Sequence, residues 1–153
     1  MKKLSSLLVL MLFLAACGKE QSFEPEEINP EVDICEICNM SIVEENYATQ
    51  LISKDGDVYK FDDLGCMYEF VEKDKRIADE DIAKQYVRDM ENGKWLESKD
   101  AYYAYHSDFW TPMANGVVSF ENEEKAKEYI EEQGKGEVFG FEQLSQHKWG
   151  WEQ

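Results

Sequence analysis

Laid on itself with a shift of 59 residues, the chain repeats a pattern. Val58-Tyr59-Lys60-Phe61-Asp62-Asp63 and then Glu69-Phe70-Val71 sit over Val117-Val118-Ser119-Phe120-Glu121-Asn122 and then Glu128-Tyr129-Ile130. A degenerate internal duplication restricts the fold more than any local propensity, because whatever the first copy builds the second must build too. In each copy a turn (Lys54 to Asp57; Ala114 to Gly116) precedes an apolar strand, which runs into a helix capped by Asp62 or Asp63, and by Asn122 in the second copy. An earlier strand precedes each turn, Tyr47 to Ile52 and Tyr102 to His106. Gly134 and Gly136 close the second helix, and Glu137 to Phe141 reads as a strand. The matching stretch of the first copy reads two ways: Ile82, Ala83, Tyr86, Val87 and Met90 fit a helical stripe, while Gln85 to Met90 alternates toward a turn at Asn92-Gly93. The duplication favours the strand. The chain is therefore expected to be α+β, two ββαβ units with antiparallel sheets and helices packed on them, over residues 34–95 and 96–145, with 146–153 as a frayed tail.

The segment before the first unit carries its own signals. Lys2 and Lys3 precede an apolar stretch of thirteen residues, Leu4 to Ala16, well short of the ~20 residues that a spanning helix needs. Residues 1–16 read as an export signal. Leu14-Ala15-Ala16-Cys17 resembles the lipobox of bacterial lipoproteins, which implies lipidation of Cys17 and an extracytoplasmic, membrane-anchored protein. An ordinary signal peptide with a chance cysteine is the alternative. Residues 17–33, rich in Glu with Pro25 and Pro30, hold few large apolar groups and are expected to remain a mobile tether.

The formal charge of −17 repels nucleic acid and anionic lipid head groups, so neither DNA nor RNA is an expected partner. Cysteine use is more specific. With Cys17 assigned to lipid, Cys35, Cys38 and Cys66 remain, an odd number in a disulfide-permissive compartment, so at least one thiol should stay unpaired.

The remaining soft donors cluster along the chain. Cys35-Glu36-Ile37-Cys38-Asn39-Met40 places two thiols and a thioether within six residues. Thiolate and thioether sulfur favour Cu(I) over hard cations, whereas a thioether adds little to a redox disulfide or a structural zinc site. Cys66-Met67 falls in the first turn of the first helix, where the helix N-terminus favours a thiolate at Cys66. Met113 follows Pro112 in a loop beside Trp110, and His106 ends a Tyr-rich strand. Met67 fits equally well in an apolar helix face with Leu64, Phe70 and Val71. No Ser-His-Asp set, phosphate loop or nucleotide fingerprint is present, and the adjacent Asp62 and Asp63 do not make the facing carboxylate pair of acid/base hydrolysis. Catalysis is not expected.

Taken in order, the lipobox at Cys17, the Cys35-to-Ile42 segment, Phe61-Asp62-Asp63-Leu64-Gly65-Cys66-Met67 and Thr111-Pro112-Met113 through Phe120 resemble the NosL family of copper-binding lipoproteins. Many members have Gly where this chain has Asn39 and Ala114, a departure that concerns turn geometry more than ligand chemistry. The resemblance implies a duplicated ββαβ fold and a Cu(I) chaperone that serves assembly of the copper centres of nitrous oxide reductase. On that basis Cys38 and Met40 are expected to form the core of the copper site, completed by Met113 or His106, with Cys35, Cys66, Met67 and Asp63 as further candidates. Sulfur and carboxylate in surplus leave room for a second ion such as zinc. Two other functions stay open at this point, an exported thiol-disulfide oxidoreductase using Cys35 and Cys38, and a structural zinc lipoprotein.

Overall fold

The computed structural model describes residues 22–152; the signal segment and Cys17 lie outside the described residues. Among the described residues, no helix is long and apolar enough to cross a membrane.

Both copies fold as strand, strand, helix, strand. The first comprises β1 (Thr49–Ser53), β2 (Val58–Phe61), α1 (Leu64–Glu69) and β3 (Ile82–Arg88), and adds β4 (Trp95–Glu97). The second comprises β5 (Tyr102–Tyr105), β6 (Val117–Phe120), α2 (Glu123–Gln133) and β7 (Glu137–Phe139), followed by a short α3 (Phe141–Leu144). The sheet orders are β2-β1-β3-β4 and β6-β5-β7, antiparallel throughout. The first strand of each copy thus lies between the other two. The ambiguous stretch of the first copy is strand, as the duplication required: β3 pairs along the whole of β1.

α1 is short and runs on into a wider turn over Phe70–Asp74, ended by Lys75 at φ 54°. It packs Met67 and Phe70 onto the first sheet, where Phe70 meets Phe61 edge-on at 5.2 Å. Tyr103 and Val117 of the second sheet join the same core, so one apolar interior spans both copies. A smaller core of Ala104, Phe109, Val118, Phe120 and Ala126 lies under α2. Alternation along β5 explains the division, with Tyr103 facing one core and Ala104 the other.

Two boundary expectations need correction. Residues 23–33 are not a free tether but a strap laid across the first sheet. Tyr86, Gln50 and Lys60 are in register across β3, β1 and β2, and the strap meets each in turn. The Tyr86 hydroxyl donates to the Phe23 carbonyl, Gln50 exchanges two hydrogen bonds with the Glu26 backbone, and Lys60 pairs with Glu26 and Asp33. Ile28 adds a buried apolar anchor. Composition suggested disorder, yet backbone hydrogen bonds to a buried glutamine do not depend on the strap's own hydrophobicity. With the strap in place both faces of β1 are covered, and all five of its residues are buried.

The C-terminal tail also docks rather than frays. Trp149 is 1% exposed, stacked on Trp151 with ring centroids 5.1 Å apart and against Tyr68 at 5.0 Å. His147 sits among Tyr105, Phe139 and Trp149. Aromatic area, not regular backbone, holds this end.

Candidate metal centre

The sulfur-rich hexapeptide is a tight turn. Ile34 and Ser41 form an isolated antiparallel bridge, the Cys35 amide donates to the Met40 carbonyl, and the Asn39 amide donates to the Cys35 carbonyl. Asn39 lies at φ 59°, the left-handed conformation that glycine adopts freely and that Asn tolerates better than most residues. The glycine that the resemblance leads one to expect at this place would meet the same backbone requirement that Asn39 meets. Ala114, at φ 57°, meets the other with a residue less suited to it.

This turn folds against the junction of β2 and α1, which brings Asp62 and Cys66 to the two cysteines. Cys35, Cys38, Asp62 and Cys66 each offer a ligand atom within 4.8 Å of the others. All three thiols are free. Cys35, Asp62 and Cys66 are buried while Cys38 is only partly so, which makes Cys38 the exposed member. The Cys38 thiol donates to Asp62 Oδ2 at 3.1 Å. Asp62 Oδ1 is buried without a hydrogen-bond partner. An orphan buried carboxylate oxygen is costly unless a cation or proton serves it.

Proton distribution follows from the geometry. The Cys35 sulfur accepts from the Cys66 thiol and from the backbone amides of Cys38, Ile37 and Asp62, which together outweigh its burial and lower its pKa from 9.0 to about 7. Burial, with Asp62 and Cys35 beside it, pushes Cys38 up to about 12. Cys66 is raised too, chiefly because its proton is committed to Cys35. The helix N-terminus was expected to favour a thiolate at Cys66; the lowered pKa instead belongs to Cys35, which accepts from the Cys66 thiol first and from three backbone amides besides.

The other candidates divide by position. Asp63 caps α1 through Cys66 N, and its oxygens also accept from Thr111 Oγ1, Met113 N and the Asn115 amide. Its lone pairs are spent on clasping the 106–116 loop to α1, and burial raises its pKa above the usual carboxylate range. Gly65 leaves the room for this clasp, since a Cβ there would lie 2.1 Å from Asn115 Nδ2. Met67 is fully buried in the shared core. Met40 and Met113 are exposed, at 48% and 38%. Both are held by backbone bonds beside the cluster, the Met40 amide to the Cys38 sulfur and the Met113 amide to Asp63. His106 is at the base of the long loop, its Nδ1 accepting from the Asp108 amide and its ring against Phe109. No bond ties it to the cysteines.

Sequence reasoning passed over Asp62. A signal was present: in an Asp-Asp pair at a strand-to-helix junction one carboxylate caps the helix, leaving the other for a different task.

The NosL family model matches residues 25–149. The chain belongs to the NosL family. The crystal structure of the copper chaperone NosL from Shewanella denitrificans superimposes with a TM-score of 0.65 at 19% identity, covering 78% of this chain and 93% of that one. At that identity the likeness establishes a shared fold. No curated protein matches the chain. The family's fold was legible in the duplication; the strap, which the family match enters at residue 25, was not.

Proposed function

We propose that this NosL-family protein is a lipid-anchored, extracytoplasmic Cu(I) chaperone that delivers copper for assembly of the centres of nitrous oxide reductase. The observation that carries the reading is the convergence of Cys35, Cys38, Cys66 and Asp62 within 4.8 Å, with the exposed Met40 bonded through its amide to the Cys38 sulfur and the exposed Met113 bonded through its amide to Asp63, the neighbour of Asp62. Soft donors at graded depth suit an ion that must be held and then surrendered. Cys38 offers the ion to the outside together with Met40 and Met113, while the Cys35 thiolate retains it from behind. Exchange proceeds as a partner's donors replace the outer thioethers first. Copper here is cargo rather than cofactor, and no bond-making chemistry is assigned to the protein.

Anaerobic Cu(I) competition against a chromophoric chelator tests the binding step. Cys38→Ser and Met40→Ala are expected to weaken binding, and unchanged affinity in both would overturn the assignment. Delivery is tested by the copper content of nitrous oxide reductase isolated from cells with and without the gene.

Asp62 favours one second reading. Three thiolates and a carboxylate also suit tetrahedral Zn(II), so a structural zinc ion alone or beside copper is the competing proposal. Elemental analysis of protein purified without added metal distinguishes these. Thiol-disulfide exchange is less well supported: the low-pKa thiol, Cys35, is 1% exposed, whereas the accessible Cys38 is the one held protonated.

A further inference from the structure

The exposed large apolar side chains of the described residues are concentrated near the metal centre. Ile34, Met40 and Val43 come from the turn and its flanks, and Trp110 and Met113 from the long loop of the second copy. In the bridged ribbon Cys35 and Ile42 face inward, so Ile34, Ser41 and Val43 fall on the outer side. Val43 and Trp110 then line one cleft together with Tyr47 and Met90. Trp110 is 60% exposed but not loose, since Tyr47 meets it edge-on at 5.3 Å. Among the described residues, the charged groups that line this cleft are Glu44 and Glu45. Its walls lead directly to the centre: Trp110 is followed by Thr111 and Met113, both bonded to Asp63, and Val43 ends the segment that carries Cys38 and Met40.

We propose that the cleft between Val43 and Trp110 is the docking surface for the protein that exchanges copper with this centre, a partner whose contact face has an apolar middle and a basic rim. The inference rests on the copper reading and deepens it by naming the partner's chemistry. A held aromatic at the centre of an apolar patch is the usual anchor of an interface. The acidic rim selects the sign of the partner's charge and speeds encounter. A second copy of this chain fits poorly, because a two-fold contact sets Glu44 and Glu45 against their own copies in a protein of net charge −17. An anionic membrane surface is disfavoured for the same reason.

The test uses the full-length lipoprotein in cells whose nitrous oxide reductase depends on it for copper. Three strains carry Val43→Ser with Trp110→Ala, Glu44→Lys with Glu45→Lys, and Cys38→Ser. The charge-reversed variant keeps every apolar contact, so it remains informative if the first folds poorly. Both patch variants are expected to bind Cu(I) in vitro with wild-type affinity, yet to lower copper per nitrous oxide reductase by roughly tenfold, the scale of losing an interface anchor. Full copper content with either patch variant overturns the docking surface. Wild-type self-association that disappears in the Trp110 variant overturns the choice of partner. Full copper content in the Cys38→Ser strain removes the delivery reading itself, and the docking proposal with it.

Discussion

The two copies build the same turn and fill it differently. Ahead of the first copy's β1, the Cys35 amide donates to the Met40 carbonyl, the Asn39 amide to the Cys35 carbonyl and the Glu36 amide to Lys60; ahead of the second copy's β5, in the turn that joins β3 to β4, the Asp89, Gly93 and Met90 amides donate to Lys94, Asp89 and Ser119. Asn39 and Gly93 both take positive φ, 59° and 71°. The side chain at the head of each turn sits in the same nest of three amides. Cys35 accepts from Ile37, Cys38 and Asp62, and Asp89 accepts from Glu91, Asn92 and Glu121. The Cys66 thiol, donating to Cys35, is the main cause of the fall in the Cys35 pKa, and this backbone anion hole adds to it. Around it, Cys38, Asp62 and Cys66 correspond to Asn92, Glu121 and Lys125. At the Cys66 position the second copy has Lys125, paired with Glu91 and Glu128. Where the first copy assembles soft donors, the second has a fixed ammonium and a surface ion pair.

A second difference makes the site. The turn joining β1 and β2 occupies residues 54–57, whereas the loop joining β5 and β6 occupies 106–116. The longer loop reaches back to Asp63 of the other copy through Thr111, Met113 and Asn115. Duplication supplied the frame, and unequal loops let the second copy clasp Asp63, next to the donor cluster of the first.

Ways to break this comparison follow in decreasing order of expected effect. Cys38→Ser should lower Cu(I) affinity by more than the roughly 10–100-fold typical of a change outside the ligands, measured by chelator competition, whereas Asn92→Ser at the corresponding position should leave it unchanged. Grafting the donors in reverse, with Asp89→Cys, Asn92→Cys and Lys125→Cys beside the native Glu121, should add one metal equivalent by elemental analysis; no added metal would show that the frames are less alike than their hydrogen bonds.

The anion hole is tested by stability. Asp89→Ala leaves three part-buried amides unserved and should cost about 2 kcal/mol by denaturant unfolding, while Asp89→Asn should cost less. In the metal-free, reduced protein, Cys35 has a folded pKa near 7 against 9.0 unfolded. A depressed acid stabilises the fold above its unfolded value, and that contribution is lost as pH falls through 7. Cys38, raised from 9.0 to about 12, and Cys66, also raised, act oppositely above pH 9. Thermal melts should therefore show apo stability rising from below pH 7 toward 9 and falling beyond it, by on the order of 2 kcal/mol. The smallest expected effect is at the left-handed alanine: Ala114→Gly should stabilise by about 1 kcal/mol or less, as relief of the positive φ is partly offset by glycine's unfolded-state entropy.

Much of this was legible in the chain. The 59-residue shift located both strand-helix junctions, and Asp63 and Asn122 do cap the two helices. The duplicated turn was not legible, because Cys35-Glu36-Ile37-Cys38-Asn39-Met40 and Asp89-Met90-Glu91-Asn92-Gly93-Lys94 share no residue at matching positions. Their likeness is carried by backbone amides, and only a positive φ links Asn39 to Gly93. The strap escaped notice because glutamates and prolines are read as solvent-seeking, while its hold on the sheet runs through main-chain groups and Gln50.

By itself, then, the sequence determined the periodic elements, the twofold repetition and the supply of soft donors, since each is written in side-chain type and spacing. Tertiary structure alone decided which donors meet. It spent Asp63 on a clasp, buried Met67, left His106 apart, and brought Asp62 in among three thiols. The reason is physical: a helix cap, a nest of amides and the length of one loop set where those side chains lie, and none of the three is a property of the candidate donor itself.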